Sequence, residues 1–163
     1  FELLQDCPTL DTVIMGVGGG GLIAGVSACL KQLKPSITVI GVEPIASPSM
    51  SQSLNEGHAV TLDKFTPTIC AGLCPPFAGK ITFEFVKQFV DKIVLVSDEE
   101  VKQALKMLSG DFKLIVEPSG AASVAALMQH KKLLNEQYIS GKHVCCILSG
   151  GNVPLGDLAT LTI

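Results

Sequence analysis

Short apolar runs alternate along the chain with longer segments in which apolar residues recur every three or four positions. The runs predict strands at 13–17, 38–42, 92–96 and 143–148, and the longer segments predict helices at 20–33, 47–56, 81–90, 97–108 and 117–134. Strands and helices in alternation, joined by right-handed crossovers, give a parallel sheet with helices on both faces. We therefore expect an α/β fold whose ligand crevice lies at the carboxyl ends of the strands.

Two segments carry local signals of their own. Ser97 is predicted as the N-cap of a helix with Glu100 at the third helical position, which is the pattern of a capping box. The stretch 58–80 holds three prolines and is predicted as a long loop with a short extended piece at 68–73. Loops of this length in compact domains are often functional.

Composition limits the kind of partner. The 163 residues are 47% hydrophobic and 17% charged, with a net charge of −3 and no run of Lys and Arg. This profile indicates one globular unit with a sizeable core, and it argues against a nucleic acid or an anionic membrane surface as partner. No stretch approaches the ~20 apolar residues that cross a bilayer. We expect a soluble, cytoplasmic protein that binds a small molecule.

The six cysteines are predicted to be reduced and buried. Cys29, Cys70, Cys145 and Cys146 lie in apolar segments of a chain large enough to be stable without disulfides. Cys70 and Cys74 have three residues between them and no nearby histidine, which disfavours a zinc site. Cys145 and Cys146 are neighbours in a predicted strand and face opposite sides of it. Neither pair is expected to be catalytic.

Four consecutive glycines, 18–21, separate the first predicted strand from the helix that follows. Without Cβ atoms, their backbone N–H groups can close around an anion at the positive end of that helix, and a phosphate is the obvious guest. The run is not a P-loop, because no Gly-Lys-Ser/Thr follows it. It also lacks the usual context of a Gly-x-Gly-x-x-Gly motif, because Glu43 follows the next strand without fixing the type of ligand, so by itself the run names no ligand. The alternative is structural, with the glycines letting the helix pack tightly on the strand.

Five short motifs follow one another along nearly the whole chain. They are Val17-Gly-Gly-Gly-Gly-Leu-Ile-Ala-Gly25, Gly41-Val-Glu-Pro44, Ala71-Gly-Leu73, Val116-Glu-Pro-Ser-Gly-Ala-Ala122 and Leu148-Ser-Gly-Gly-Asn-Val153. In order and spacing they resemble the serine/threonine dehydratase and serine racemase family of pyridoxal-phosphate enzymes. The resemblance implies the tryptophan-synthase-β-like fold, with residues 1–163 as the C-terminal part of its large, cofactor-binding domain.

The same resemblance implies a site for pyridoxal 5'-phosphate. The cofactor phosphate would lie on the backbone amides of Gly18, Gly19, Gly20, Gly21 and Leu22. Ser149 matches the family's serine at the pyridine nitrogen, where a neutral hydroxyl can donate a hydrogen bond without forcing protonation of the ring. This arrangement suits elimination of a β-hydroxyl, and the alternative role for Ser149 is a helix N-cap.

Two further residues match positions near the cofactor in the family. Glu117 could orient the cofactor ring or cap the positive end of the helix that follows it. Gly72 matches a glycine beside the cofactor, although a turn glycine in a proline-rich loop would look the same.

The racemase branch of the family implies two more ligands. Glu43 matches a carboxylate that helps to hold a divalent cation together with a backbone carbonyl, here that of Ser47, and an aspartate. Ser49 stands where the aspartate would be, which lowers the expected affinity for Mg²⁺ or Ca²⁺. Lys113 and Asn152 match positions that contact a nucleotide in this branch. We favour the simpler interpretation, in which Lys113 is an exposed lysine and Asn152 a turn asparagine.

The chain matches only part of the family pattern. The Schiff-base lysine, the serine-rich loop for the substrate carboxylate and the small domain match nothing in it, and none of its lysines has the context of the family's lysine. We therefore assign no catalytic residue. The chain is interpreted as the C-terminal portion of a longer enzyme that is inactive without the N-terminal half.

Three functions stay open at this point. The first is an ammonia-lyase that converts L-serine or L-threonine to a 2-oxo acid and ammonia, and the second is a serine racemase. The third is a non-catalytic module that binds a phosphate or a partner chain. No regulatory domain follows Ile163, which disfavours a feedback-inhibited dehydratase, and the resemblance suggests a homodimer.

Overall fold

The strands of the chain form one parallel sheet. The computed structural model describes residues 1–64, 66–129, 138–139 and 142–162. Within them, β1 (Thr12–Gly16), β2 (Thr38–Pro44), β3 (Lys92–Val96) and β4 (Val144–Cys146) lie in the order β3-β2-β1-β4, and every neighbouring pair is parallel. The predicted α/β fold with a parallel sheet is confirmed.

One helix precedes the first strand, and the others connect the strands or follow the last one. The helices are α1 (Glu2–Asp6), α2 (Gly21–Leu33), α3 (Ser49–Glu56), α4 (Lys80–Phe89), α5 (Asp98–Gly110), α6 (Pro118–Gln129) and α7 (Leu155–Thr162). At the start of α5, the Glu100 N–H donates to Ser97 Oγ at 3.3 Å and the Ser97 N–H donates to Glu100 Oε2 at 2.7 Å. This is the predicted capping box. In the described part of the chain, none of these helices is long and apolar enough to cross a membrane.

Successive residues of the strands face two separate cores, because side chains alternate across a strand. On one face, Val13 and Met15 of β1 pack with α2, α3 and α4. On the other face, Ile14 of β1 and Val42 of β2 pack with α5, α6 and α7. The helices therefore cover both faces of the sheet, as the sequence predicts.

The direction in which strands are added reverses at β1. From β1 the chain passes through α2 to β2 on one side, and after α6 it returns to β4 on the other side. Thr12 of β1 is in register with both Thr38 and Val144, so the three strands run side by side toward the same edge. In open α/β sheets the loops at such a reversal diverge and leave a crevice. This crevice lies between the loop after β1 and the loop after β4.

Some sequence-based boundaries differ from the structure. The prediction of an extended piece at 68–73 is wrong, because Ala71–Leu73 form a 3-10 turn in which the Leu73 N–H donates to the Cys70 carbonyl at 2.9 Å. The strand predicted at 143–148 is shortened to Val144–Cys146. The helix predicted at 117–134 is described as far as Gln129, and its remaining residues lie outside the described ranges.

The structure differs from the sequence-based predictions at two more places near the C-terminal end. Helix α7 was not predicted, since Leu158 is its single fully buried residue and its apolar stripe is weak. Because α7 begins at Leu155, Ser149 is not its N-cap, and that alternative is wrong.

All six thiols are free, but only Cys70 is fully buried, and the other five are partly exposed. The expectation that the cysteines are buried is therefore correct for Cys70 alone. Burial raises the pKa of the Cys70 thiol to about 12, which keeps it protonated and unreactive near neutral pH.

Candidate cofactor site

A cavity of about 240 Å³ lies at the reversal point, at the carboxyl ends of β1 and β4. Its lining comes from the glycine loop after β1, from the 3-10 turn, from the start of α6 and from the loop after β4. These segments are far apart in sequence. The sheet topology brings them together.

All eight residues that the resemblance assigns to the cofactor line this cavity. They are Gly18, Gly19, Gly20, Gly21, Leu22, Gly72, Glu117 and Ser149. Their convergence follows from the position of each motif at or beside a strand end. Their contact with a cofactor stays a prediction.

Gly20 gives the glycine loop its shape. Its φ of 89° lies in the left-handed region that favours glycine, and it directly precedes α2. A Cβ added there would lie 2.6 Å from Met50 Cε and 2.8 Å from Thr82 Oγ1, so packing also leaves no space for a side chain. The loop is further held by Thr82, whose hydroxyl donates to the Gly19 carbonyl at 2.5 Å. Side chains of α3 and α4 thus fix the conformation of the loop backbone.

The loop presents unpaired donors to the cavity. Among the described residues, no acceptor is found for the backbone N–H groups of Gly18, Gly19, Gly20, Gly21 and Leu22. These amides lie at the N-terminus of α2, where the helix dipole favours negative charge. The described lining contains no Lys or Arg. A phosphate here would be held by backbone amides rather than by a basic side chain.

Glu117 and Ser149 occupy the side of the cavity formed by α6 and the loop after β4. The Glu117 Oε2 accepts the Asn152 N–H at 3.0 Å, and the Glu117 N–H donates to the Gly150 carbonyl at 3.2 Å. The Glu117 carbonyl also accepts the Gly120 and Ala121 N–H groups at the start of α6. Glu117 therefore ties the β4 loop to the helix. Ser149 Oγ has no hydrogen-bond partner among the described residues, so its hydroxyl is available to a ligand.

Sequence reasoning missed Ser119 and Thr82. Ser119 lines the cavity and accepts the Gly72 N–H on its Oγ at 2.9 Å. It lies inside the motif at 116–122, which was the available signal. Thr82 lies within α4, 63 positions from its partner Gly19, and nothing local marks it.

The predicted cation ligands are both buried: Glu43 lies near the end of β2, and Ser47 follows that strand. The Glu43 carboxylate accepts the Met50 N–H at 2.7 Å on Oε1, and the Ser51 N–H at 2.8 Å and Ser51 Oγ at 2.6 Å on Oε2. It thereby caps the N-terminus of α3. Burial raises the pKa of Glu43, and the hydrogen bonds from Ser51 and Met50 oppose that rise.

The remaining predicted positions are exposed. Lys113 has a φ of 59°, and its Nζ donates to the Gly110 carbonyl. Asn152 contributes its backbone N–H to Glu117. Nothing in these contacts requires a nucleotide.

A parallel sheet with a glycine loop and unpaired amides at its switch point is the architecture of an enzyme domain that binds a phosphorylated cofactor. Residues 1–150 match the family described as pyridoxal-phosphate dependent enzyme. The chain belongs to this family.

Curated relatives give the closer relationship. The chain is 40% identical to the L-threonine ammonia-lyase of Thermotoga maritima over 94% of its own length and 36% of that protein's. It is 36% identical to the catabolic L-threonine dehydratase of Escherichia coli K12, covering 99% of the chain and 48% of the relative. A serine racemase of Oryza sativa subsp. indica is 38% identical over 97% of the chain and 46% of the relative. The resemblance to the serine/threonine dehydratase and serine racemase family is confirmed.

Solved structures agree with the fold. The maize serine racemase superposes with a TM-score of 0.89 at 36% identity, over 98% of this chain and 48% of that one. Threonine deaminase isoform 2 from Solanum lycopersicum superposes with a TM-score of 0.90 at 33% identity, over 99% of this chain and 46% of that one. The fold is thus the tryptophan-synthase-β-like one. The chain spans between about a third and about half of the length of the curated relatives named above.

Proposed function

We propose that this chain forms the phosphate and ring cradle of a pyridoxal-phosphate-dependent ammonia-lyase that converts L-threonine or L-serine to a 2-oxo acid and ammonia. One observation carries the proposal. Eight residues assigned from the sequence meet on one cavity whose glycine loop presents unpaired amides. The names of the relatives from Thermotoga maritima and Escherichia coli support the choice of reaction.

The described residues fit the cofactor at both of its ends. The amides of the glycine loop and the dipole of α2 would bind and orient the phosphate. The free hydroxyl of Ser149 would donate to the pyridine nitrogen, and Glu117 holds the loop that carries Ser149. When bound, pyridoxal phosphate supplies the electron sink for bond changes at the α and β carbons of the amino acid.

The neutral character of Ser149 bears on the reaction. A hydroxyl can donate one hydrogen bond and carries no charge, so it does not hold a proton on the ring nitrogen as a carboxylate would. A ring that stays neutral withdraws electrons less strongly. This favours departure of a β-hydroxyl group from the substrate over chemistry that needs a long-lived carbanion.

A serine racemase is the second candidate. The 38% identity to the rice protein and the TM-score of 0.89 to the maize structure support it. The glycine loop would hold the cofactor phosphate in either reaction, so within this chain the neutral hydroxyl of Ser149 is what favours the ammonia-lyase. A non-catalytic phosphate-binding module is the third candidate for the chain on its own.

The wider assembly is part of the same proposal. Residues 1–163 would act as the C-terminal part of the large domain, and the Schiff-base lysine and the small domain would come from an N-terminal half. The coverage of only about a third to a half of the relatives supports this division. We further propose a cytoplasmic homodimer that acts on a small amino acid, with no nucleic acid or membrane partner.

The cation site at Glu43 and Ser47 stays a prediction, and the structure gives three facts about it. Ser49 Oγ is buried without a hydrogen-bond partner among the described residues, which leaves a polar atom for a further ligand. Against this, both oxygens of Glu43 already accept hydrogen bonds from α3. The described part of the chain also contains no cluster of three or more His, Cys, Asp or Glu side chains placed to hold a metal. The cap role therefore explains Glu43 without Mg²⁺ or Ca²⁺.

Binding of pyridoxine 5'-phosphate is the direct test of the cradle. This analogue carries an alcohol where the cofactor carries its aldehyde, so it cannot form imines with surface lysines. We expect the chain to bind it saturably and to bind pyridoxine, which lacks the phosphate, at least about a hundredfold more weakly, because the loss of several charge-assisted hydrogen bonds costs about 3 kcal/mol or more. Calorimetric titration measures both affinities, and equal affinities for the two ligands would contradict the proposal.

The reaction itself is tested in the longest protein that carries this sequence. With L-threonine and L-serine we expect a 2-oxo acid and ammonia in equal amounts. Formation of D-serine without ammonia would select the racemase instead.

A further inference from the structure

Ser119 connects two walls of the candidate cofactor cavity. It is the second residue of α6 and is 6% exposed. Its Oγ accepts the Gly72 N–H at 2.9 Å across 47 positions of sequence. Among the described residues this hydroxyl has no other hydrogen-bond partner. Since Ser119 also lines the cavity, the bond is formed within the cavity wall itself.

Gly72 in turn lies against the glycine loop. A Cβ added at Gly18 would be 3.1 Å from the Gly72 carbonyl oxygen, and a Cβ added at Gly72 would be 2.9 Å from Ser119 Oγ. Ser119, the 3-10 turn and the loop therefore pack in series, with the turn between the other two. The place of the turn is set by Ser119 on one side and by Gly18 on the other.

We infer that Ser119 is a positioning residue of the cofactor site: its hydrogen bond to Gly72 holds the 3-10 turn at the distance from the glycine loop at which the cofactor ring is bound. The inference rests on the proposed function. Without the Ser119 acceptor, the Gly72 N–H would lose its hydrogen bond to α6, and the turn, in which Ala71 and Gly72 are exposed, would be free to move. The phosphate amides belong to the loop and to α2, so this movement affects the ring more than the phosphate.

The test compares two ligands that share only the phosphate. For Ser119→Ala we expect the affinity for pyridoxine 5'-phosphate to fall by about tenfold, the effect of one lost hydrogen bond. The affinity for inorganic phosphate should change by less than about twofold, because none of its donors is removed. Ser119→Thr keeps the hydroxyl and should restore the wild-type ratio of the two affinities. Chemical-shift titration of the ¹⁵N-labelled chain measures both ligands on the same amides.

Ser123→Ala is the matched control. Ser123 lies on the same helix, is 1% exposed and donates its own hydroxyl to the Ile147 carbonyl at 2.9 Å. It does not line the cavity. Its loss should lower the free energy of unfolding and leave the ratio of affinities unchanged. If Ser119→Ala does not fold, as judged by circular dichroism, Ser119→Cys replaces it, because a thiol has similar volume and is a weaker acceptor.

Each outcome separates the inference from the proposal beneath it. A Ser119 variant that lowers both affinities by the same factor, or neither, overturns the positioning role, as does an equal ratio change in Ser123→Ala. If the wild-type chain does not prefer pyridoxine 5'-phosphate over pyridoxine, that result contradicts the proposed function itself.

Discussion

Gly20→Ala is expected to lower the affinity for pyridoxine 5'-phosphate by about a hundredfold or more, the value of one to two charge-assisted hydrogen bonds. The variant should also lose about 3 kcal/mol of unfolding free energy, from the left-handed backbone and from overpacking together. The physical reason is a double constraint. The φ of 89° strains any residue with a Cβ, and that Cβ would overlap Met50 and Thr82. Relief of the overlap moves the loop amides away from the phosphate.

The affinity is measured by calorimetry and the stability by urea unfolding. Gly25→Ala is the matched control, because Gly25 lies within α2 and a Cβ there would meet nothing within 4 Å. It should raise the unfolding free energy by about 0.5–1 kcal/mol and leave the affinity unchanged, since alanine is the better helix former. Equal affinities in Gly20→Ala and the wild type would show that the loop does not hold the phosphate.

Glu43→Ala is expected to lower the unfolding free energy by about 3 kcal/mol at pH 5, because the Met50 and Ser51 N–H groups lose their acceptor at a buried helix end. Glu43 is fully buried, and no solvent can replace it without opening the core. The variant should also lower the affinity for pyridoxine 5'-phosphate, since the Met50 N–H donates to Glu43 and the Met50 side chain packs against Gly20. Urea unfolding and calorimetry measure the two effects.

The pH dependence of this loss has a definite sign. Burial raises the pKa of Glu43 in the folded state above its ordinary value of 4.5, so the folded protein holds the proton more tightly than the unfolded chain. Its stabilising contribution is therefore complete below pH 4.5 and is lost as the pH rises through the raised pKa. The difference in unfolding free energy between the wild type and Glu43→Ala should shrink from pH 5 upward. A difference that grows with pH would mean that the folded pKa is depressed.

Glu99→Ala provides the control for removal of a carboxylate. Glu99 is exposed and pairs with Lys102 at the surface of α5, where solvent screens the attraction between the two charges. The change in unfolding free energy for Glu99→Ala should be small at every pH.

Added Ca²⁺ tests the other interpretation of Glu43, in which it is a cation ligand. A rise in the wild-type melting temperature that EDTA reverses and that Glu43→Ala abolishes would establish a cation ligand. No rise in the melting temperature leaves Glu43 as the cap of α3.

The glycine loop and Ser149 could be placed at one site from the sequence, because each directly follows an apolar strand run and parallel strands end at a common edge. The bonds from Ser119 to Gly72 and from Thr82 to Gly19 could not, since they join residues 47 and 63 positions apart. No local pattern of polar and apolar residues encodes such pairings. The 3-10 turn at 71–73 was missed for a related reason: a short, proline-flanked segment has too few residues for a period to be detected.

The sequence by itself determined the parallel α/β architecture, the capping box at Ser97, the place of the glycine loop between the first strand and its helix, and the family. These features depend on local spacing and on which residues carry a Cβ, so short stretches of the chain encode them. Only the tertiary structure decided that Glu43 caps α3, that Met50 and Thr82 close the space around Gly20, and that Ser119 is the residue that holds Gly72. Those contacts arise when two helical layers pack on the sheet, and side chains from distant segments then find the partner that burial requires.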